Sequence, residues 1–239
     1  MVQGSEKMGN KIIKLERSII PACDVATLEA LKQLVSETSD VEGIGAYKIG
    51  FSLVIPFGLN AVLGAIREFS DLPVIYDHQK GGTDIPGTGT LFAQSCKRCE
   101  AVILFPQSGP EVEKAWIEAC REEELGVIIG GEMTHKAFLQ SDGGFIADDA
   151  PEKIYKTAAS LGVKDFVVPG NKPDRIKTYR KLLGDKAVFY SPGFIAQGGS
   201  LSDSAKAAGS NWHAILGRAL YTAKDIHKQA KELAKFVLK

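Results

Sequence analysis

Residues 73–89, PVIYDHQKGGTDIPGTG, join an apolar, β-branched run to a charged turn that is rich in glycine. The apolar run predicts a buried strand that ends at Asp77. Lys80 lies between two acids, Asp77 and Asp84. Glycine is explained by the geometry of a turn, whereas a lysine between two acids is not. We therefore ask whether the rest of the chain also places charged side chains after buried strands.

Apolar runs alternate with amphipathic segments along the whole chain. Eight runs predict buried parallel strands at residues 18–24, 46–51, 73–77, 101–105, 127–132, 165–169, 187–191 and 212–216. Segments with helical spacing follow them at residues 27–37, 59–69, 90–98, 110–122, 150–161, 172–183, 202–208 and 223–238. The pattern predicts an α/β fold, a (β/α)₈ TIM barrel, as a single domain over residues 12–239. The alternative is an open doubly wound sheet, but the first turn lacks its G-x-G-x-x-G motif and no P-loop is present.

The composition is that of an ordinary globular protein, with 44% hydrophobic and 24% charged residues. The 29 basic and 29 acidic residues are interspersed, which argues against nucleic acid as a partner. The longest apolar runs are too short to span a membrane, so we expect no membrane partner. Residues 1–11 are polar and predict a flexible lead-in without a signal peptide.

Cys96 and Cys99 form a single CxxC, which we expect on a helix with a packing role rather than a zinc or redox role. We expect a reduced, cytoplasmic protein.

Candidate site residues, most of them polar, stand at the carboxyl ends of most predicted strands, where barrel enzymes place their catalytic groups. They are Asp24, Lys48, Asp77 with Lys80 and Asp84, Glu132 with Met133, Thr134 and His135, Pro192 with Gln197, and Gly217 with Arg218. The residues after strands seven and eight predict a phosphate site, in which Arg218 forms a bidentate contact. Simple turn residues and a surface ion pair are the alternative there. The charges on strands one to three predict a network that keeps a lysine protonated, and surface salt bridges are the alternative.

These motifs together resemble those of the orotidine 5′-phosphate decarboxylase family over nearly the whole chain. The family carries D-x-K-x-x-D-I-P-x-T after strand three, and this chain has Asp77, Lys80 and DIPGT at residues 84–88. The other matches are the strand-one aspartate Asp24, KIG at residues 48–50, EMTH at residues 132–135, PGFIAQGG at residues 192–199, and the pair Gly217 and Arg218. Each motif alone is weak, but six in order are specific.

The resemblance implies decarboxylation of orotidine 5′-monophosphate to uridine 5′-monophosphate, without a metal or an organic cofactor. Lys48, Asp77, Lys80 and Asp84 would form the catalytic network, with Lys80 donating a proton to C6. Asp24 and Lys48 would contact the ribose, Thr134 the pyrimidine, and Pro192, Gln197, Gly217 and Arg218 the loops that hold the phosphate. In the family, the residues that match Asp84 and Thr88 reach the partner subunit's site. A homodimer is therefore implied.

The spacing around Lys80 departs from the family pattern. Two residues separate Asp77 from Lys80 and three separate Lys80 from Asp84, which makes the stretch two residues longer. In a strand, positions i and i+3 face opposite sides, so we expect a bulge or an early turn, which Gly81 and Gly82 allow. His78 is an alternative for the first acid's place and is otherwise expected to pack nearby, as is His135.

Two other functions remain open from the sequence. A hexulose-6-phosphate synthase or keto-gulonate-6-phosphate decarboxylase would share the D-x-K-x-x-D core and require Mg²⁺, which an acidic cluster could hold. A non-catalytic nucleotide-binding barrel would result if the inserted residues misplace Lys80.

Overall fold

The computed structural model describes residues 11–79, 81–194 and 198–238, with the backbone alone for residues 198–200. Eight strands are present in this part of the chain: β1 Arg17–Pro21, β2 Tyr47–Gly50, β3 Val74–Asp77, β4 Ala101–Leu104, β5 Gly126–Gly130, β6 Asp165–Val167, β7 Val188–Ser191 and β8 Trp212–Leu216. All are parallel, and each pairs with its sequence neighbour from β2 to β8, while β8 pairs with β1. The lead-in predicted over residues 1–11 lies outside the described residues, except for Lys11.

The sheet closes between its two edge strands, β1 and β2. Ile19 donates its N–H to Gly43 O at 2.7 Å, and Gly45 returns an N–H to Ile19 O at 2.9 Å. Beyond the end of β1, Cys23 donates to Lys48 O at 2.8 Å. The predicted TIM barrel is confirmed, and the open sheet is not adopted.

The helices cover the outside of the barrel. Their bounds are α1 Leu28–Ser36, α2 Phe51–Phe57, α3 Leu59–Arg67, α4 Thr88–Cys96, α5 Pro110–Glu122, α6 Ala150–Ser160, α7 Pro173–Leu183, α8 Gly198–Ala208, α9 Arg218–Tyr221 and α10 Ile226–Val237. A single 3₁₀ turn at Gln140–Asp142 interrupts the long loop after β5. No helix among the described residues is long and apolar enough to cross a membrane.

Local chemistry sets several helix starts. Thr27 accepts a hydrogen bond from the Ala30 N–H at 3.2 Å, and Asp225 accepts one from the Lys228 N–H at 2.8 Å. Such caps satisfy N–H groups that have no partner inside the helix. Pro110, Pro151 and Pro173 lie in first turns, where a missing N–H costs nothing.

The core has two layers because side chains along a barrel strand alternate between inside and outside. Ile19 packs outward against the helices, whereas the next residue, Ile20, packs inside the barrel with Ile75, Ile128 and Ile215. Both layers are mostly apolar, and the buried Ser18 and His213 side chains are hydrogen-bonded to each other at 2.8 Å, so the strand ends project from a well-packed base. The boundary of the single domain, residues 12–239, stays a prediction.

Some predicted elements are wrong in detail. The prediction that strand one reaches Asp24 is wrong, since β1 ends at Pro21. Cys99 does not share a helix with Cys96, because α4 ends at Cys96. Both thiols are nevertheless free and buried, as are Cys23 and Cys120. Helices α2 and α9 were not predicted.

Candidate active site

A cavity of about 330 Å³ opens at the carboxyl ends of the strands. Its lining comes from all around the barrel: Ala22, Asp24, Lys48, Asp77, Gln79, Ile103, Phe105, Glu132, Met133, Thr134, Val167, Pro192, Gly193, Phe194, Ile215, Gly217, Arg218 and Tyr221. Seven of the eleven site residues predicted from the sequence are therefore in one place: Asp24, Lys48, Asp77, Thr134, Pro192, Gly217 and Arg218 line the cavity directly. Gly193 joins them from the same loop as Pro192.

Lys48 is the buried charge at the base of the cavity. It lies in β2, is 5% exposed, and its Nζ is 3.1 Å from Asp77 Oδ2 and 3.4 Å from Asp24 Oδ1. Burial alone would lower the pKa of Lys48, but the carboxylates of Asp77 and Asp24 outweigh burial and raise that pKa above its ordinary value. Lys48 is therefore an ammonium group at neutral pH.

Asp24 reaches this cluster from beyond the end of β1. The chain between Pro21 and Asp24 stays attached to the barrel, because Ala22 donates to Leu216 O at 2.8 Å and Cys23 donates to Lys48 O. These two bonds tie the segment to β8 on one side and β2 on the other. Asp24 is thus fixed by backbone bonds although it is no longer part of a strand.

Asp77 ends β3, and the chain turns away directly after it. Its Oδ1 accepts the Gln79 N–H at 2.8 Å, while its Oδ2 contacts Lys48. Gln79 has a φ of +52° and Gly82 a φ of +91°, which make this turn tight. The predicted early turn is present among the described residues. Lys80 itself lies outside them.

His78 points away from the carboxylate cluster. Its Nδ1 is 2.5 Å from the Tyr76 hydroxyl, and its ring meets Phe92 edge to face at 6.1 Å. His78 is not among the residues that line the cavity, whereas Asp77 lines it and contacts Lys48. His135 is exposed and packs its ring against Phe138.

Glu132 has a role that the sequence did not reveal. It is 2% exposed and accepts hydrogen bonds from Lys172 at 3.0 Å, from Arg175 at 2.8 Å and from the Tyr179 hydroxyl. Burial alone would raise the pKa of Glu132, but these donors lower it. The carboxylate therefore joins the end of β5 to α7 as a buried anion.

Thr134 is held in place by the same loop. The Lys172 ammonium also donates to Met133 O at 3.1 Å, and the Asn171 amide donates to Thr134 O at 3.0 Å. A Cβ on Gly193 would lie 2.5 Å from Thr134 Cγ2, so only glycine fits there, with its φ of +96°. These contacts fix the Thr134 side chain on the wall of the cavity.

Arg218 lies at the rim, where β8 passes into the short helix α9. Gly217 precedes it with an unusual backbone conformation, at a φ of −105° and a ψ of −94°. Pro192 follows the neighbouring strand β7, so the two predicted phosphate loops are adjacent. Gln197 lies outside the described residues.

Asp84 and Thr88 do not line the cavity of their own chain. Asp84 is exposed, and the Thr88 hydroxyl donates to Ile85 O at 2.8 Å. Ile85 beside them is 63% exposed, which is unusual for isoleucine. The structure thus separates these two predicted residues from Lys48 and Asp77.

A family model describes most of this chain. The model of the orotidine 5′-phosphate decarboxylase / HUMPS family matches residues 17–233, which include every strand. The chain belongs to this family. The prediction from the sequence motifs is thereby confirmed at the level of the family.

The decarboxylase relatives are similar along most of their length. An orotidine 5′-phosphate decarboxylase of Methanosarcina barkeri is 34% identical over 222 residues, which cover 90% of this chain and 92% of the relative. One of Methanococcus maripaludis is 30% identical over 225 residues, or 94% and 97% of the two chains. The family likeness therefore does not rest on one isolated motif.

Solved structures of the family share the barrel. The crystal structure of orotidine 5′-monophosphate decarboxylase from Methanocaldococcus jannaschii complexed with inhibitor BMP has a TM-score of 0.81 at 26% identity. The match covers 93% of this chain and 99% of that one. The enzyme from Pyrococcus horikoshii OT3 gives a TM-score of 0.78 at 25% identity, over 92% and 99% of the chains.

Proposed function

We propose that this chain decarboxylates orotidine 5′-monophosphate to uridine 5′-monophosphate, a step of pyrimidine synthesis. The observation that carries the proposal is the buried Lys48 ammonium between Asp77 and Asp24 at the base of the cavity. Family membership and relatives that bear the decarboxylase name support it. A nucleotide is then the small-molecule substrate.

The chemistry requires a fixed positive charge near C6 of the pyrimidine. Loss of carbon dioxide leaves a vinyl carbanion at C6, and the ring has no carbonyl placed to accept these electrons. A preorganised ammonium group stabilises such a charge without rearrangement during the reaction. Lys48 orders the carboxylates of this network, and we propose Lys80 as the group that faces C6 and donates the proton.

Asp77 is proposed to lie against the substrate carboxylate. Its position is fixed from both sides, by Lys48 on Oδ2 and by the Gln79 N–H on Oδ1. An aspartate that cannot turn away would repel a bound carboxylate, and this repulsion ends when carbon dioxide leaves. The network therefore favours the transition state over the bound substrate.

The remaining cavity residues would bind the rest of the nucleotide. We propose that Asp24 and Lys48 contact the ribose hydroxyls and that the Thr134 side chain contacts the pyrimidine. Arg218, with Gln197 and the loops at Pro192 and Gly217, would bind the phosphate as a charge-assisted contact. Binding energy from the phosphate can then order the site around the reacting ring.

Asp84 and Thr88 are proposed to complete the site of a partner subunit. They are displaced from the cavity of their own chain and are accompanied by the exposed Ile85. A homodimer with two shared sites accounts for both features. In such a dimer, each subunit would contribute Asp84 as a catalytic acid and Thr88 as a binding residue to the site of the other subunit.

We propose no metal and no organic cofactor, and a cytoplasmic location. Among the described residues, no group of three or more His, Cys, Asp or Glu side chains is arranged to hold a metal ion. Asp24 and Asp77 instead share the Lys48 ammonium.

The absorbance change of orotidine 5′-monophosphate tests the proposed reaction. We expect wild-type protein to turn the substrate over at the same rate with and without EDTA. Loss of the activity with EDTA and its return with Mg²⁺ would instead favour a metal-dependent relative. Binding of uridine 5′-monophosphate without any turnover would favour a non-catalytic barrel.

A further inference from the structure

Gln79 is a cavity residue in the part of the chain that is longer than the family pattern. Two residues, His78 and Gln79, separate Asp77 from Lys80. His78 turns outward to Tyr76 and Phe92, whereas Gln79 lines the cavity. The lengthened turn therefore places one additional side chain inside the site.

The backbone of Gln79 is held in a conformation that L-residues rarely adopt. Its φ is +52°, and its N–H donates to Asp77 Oδ1 at 2.8 Å. A left-handed residue is unfavourable unless its surroundings fix it, and such residues are concentrated at functional sites. This conformation directs the side chain back across the end of β2.

The side-chain amide lies against the backbone of Gly50. A Cβ on Gly50 would be 3.2 Å from Gln79 Oε1 and 3.1 Å from Asp77 O. Oε1 is buried, and no described residue donates a hydrogen bond to it. A buried carbonyl without a donor is unfavourable, so a rotation that turns the amide from Gly50 toward the cavity, where a bound ligand supplies a donor, would be favourable.

We propose that the Gln79 amide accepts a hydrogen bond from a ribose hydroxyl and thereby selects ribonucleotides over deoxyribonucleotides. This inference rests on the proposed function. The phosphate and the carboxylate of the substrate are acceptors, so its donors are the ring N–H and the ribose hydroxyls. Thr134, after β5, is proposed for the ring, whereas Gln79 lies beside Lys48 and Asp77, after β2 and β3. The ribose hydroxyls are then the donors for Gln79.

The test is the binding of uridine 5′-monophosphate and its 2′-deoxy and 3′-deoxy analogues to wild-type protein and to Gln79→Gly. Glycine retains the left-handed backbone and the N–H to Asp77 but removes the amide. Glu124→Gly is the matched control, because Glu124 also has a positive φ, +58°, and lies exposed before β5, at the opposite end of the barrel. Gln79→Asn, which shortens the side chain by one methylene, provides a second variant. Turnover of orotidine 5′-monophosphate by the wild type is measured alongside.

We expect Gln79→Gly to bind uridine 5′-monophosphate roughly three- to tenfold more weakly, the factor of one hydrogen bond. It should also lose the wild-type preference for uridine 5′-monophosphate over one of the two deoxy analogues, while Glu124→Gly retains that preference. Unchanged discrimination in both Gln79 variants overturns the role of Gln79. Wild-type binding without turnover overturns the proposed function alone, and absence of wild-type binding overturns both.

Discussion

Lys48 shows how one side chain fixes the electrostatics of the site. An ammonium group with 5% exposure loses most of its hydration, which costs several kcal/mol unless opposite charges are close. Asp77 at 3.1 Å and Asp24 at 3.4 Å supply them, and the pKa of Lys48 is raised as a result. The stabilisation from a raised lysine pKa is complete below the unfolded value, about 10.4, and is lost only above it. Lys48 therefore does not titrate in the neutral range.

Arg218 is the residue on which we expect phosphate binding to depend. Arg218→Ala removes a charge-assisted contact at the rim of the cavity, so uridine 5′-monophosphate should bind roughly 10- to 100-fold more weakly. Uridine, which has no phosphate, is the matched ligand and should bind both proteins equally. Calorimetric titration measures both constants. Equal affinity of the two proteins for the nucleotide would remove Arg218 from the phosphate site.

The elements of this barrel differ in how well their sequences predict them. The eight strands were predictable because both faces of a parallel strand are buried, which leaves continuous apolar runs. Helix α2 was not, because FSLVIPF at Phe51–Phe57 is apolar at every position except Ser52 and contains Pro56, so it lacks a helical stripe. Helix α9 has four residues, too few for any periodicity.

The candidate site was predictable where its residues follow strands, and not where distant elements meet. Asp24, Lys48 and Asp77 could be assigned to one place because parallel strands end together. The contacts of Glu132 could not, since Lys172 and Arg175 come 40 and 43 residues later and resemble ordinary helix-start charges. The position of Gln79 in the cavity depends on a left-handed backbone conformation, which a glutamine in the sequence does not predict.

Helix α5 carries a buried acid whose charge should affect stability. Glu113 is 2% exposed, burial raises its pKa to about 8, and no described residue donates a hydrogen bond to its Oε1. Because this pKa is above the unfolded value, the folded protein holds the extra proton, and the free energy of unfolding falls as pH rises from about 4.5 to about 8.

Glu113→Gln removes the ionisable group while retaining the shape of the side chain. We expect it to raise the free energy of unfolding at pH 8 by on the order of 2 kcal/mol and to change it little at pH 4. Denaturant titrations at the two pH values measure this difference. Glu111→Gln, on the exposed face of the same helix, is the control and should show no such dependence. An equal effect of Glu113→Gln at both pH values would contradict the assigned cause.

At the scale of the whole molecule, the proposed site would combine residues of two chains. The cavity contains Lys48 and Asp77, whereas Asp84 and Thr88 lie outside it. Ile85 at 63% and Leu91 at 65% exposure flank them and would be covered by a second subunit. In a twofold dimer, both subunits would exchange the same residues.

Mixing two inactive variants tests the shared site. Lys80→Ala and Asp84→Asn should each be inactive as homodimers, because every site lacks one group. After joint refolding, each mixed dimer would have one intact site, so about a quarter of the wild-type activity should return. The unmixed variants, refolded in the same way, are the controls. Mixtures that remain inactive despite dimer formation would mean that Asp84 serves its own subunit.

The most direct measurement is the release of carbon dioxide from carboxyl-labelled orotidine 5′-monophosphate by the wild type and by Lys80→Ala. The affinity of both proteins for uridine 5′-monophosphate is measured in parallel. The account predicts that the wild type releases carbon dioxide and that Lys80→Ala retains nucleotide affinity within about threefold while its kcat falls roughly 1,000-fold or more. Substantial release by Lys80→Ala, or none by the wild type, would contradict it.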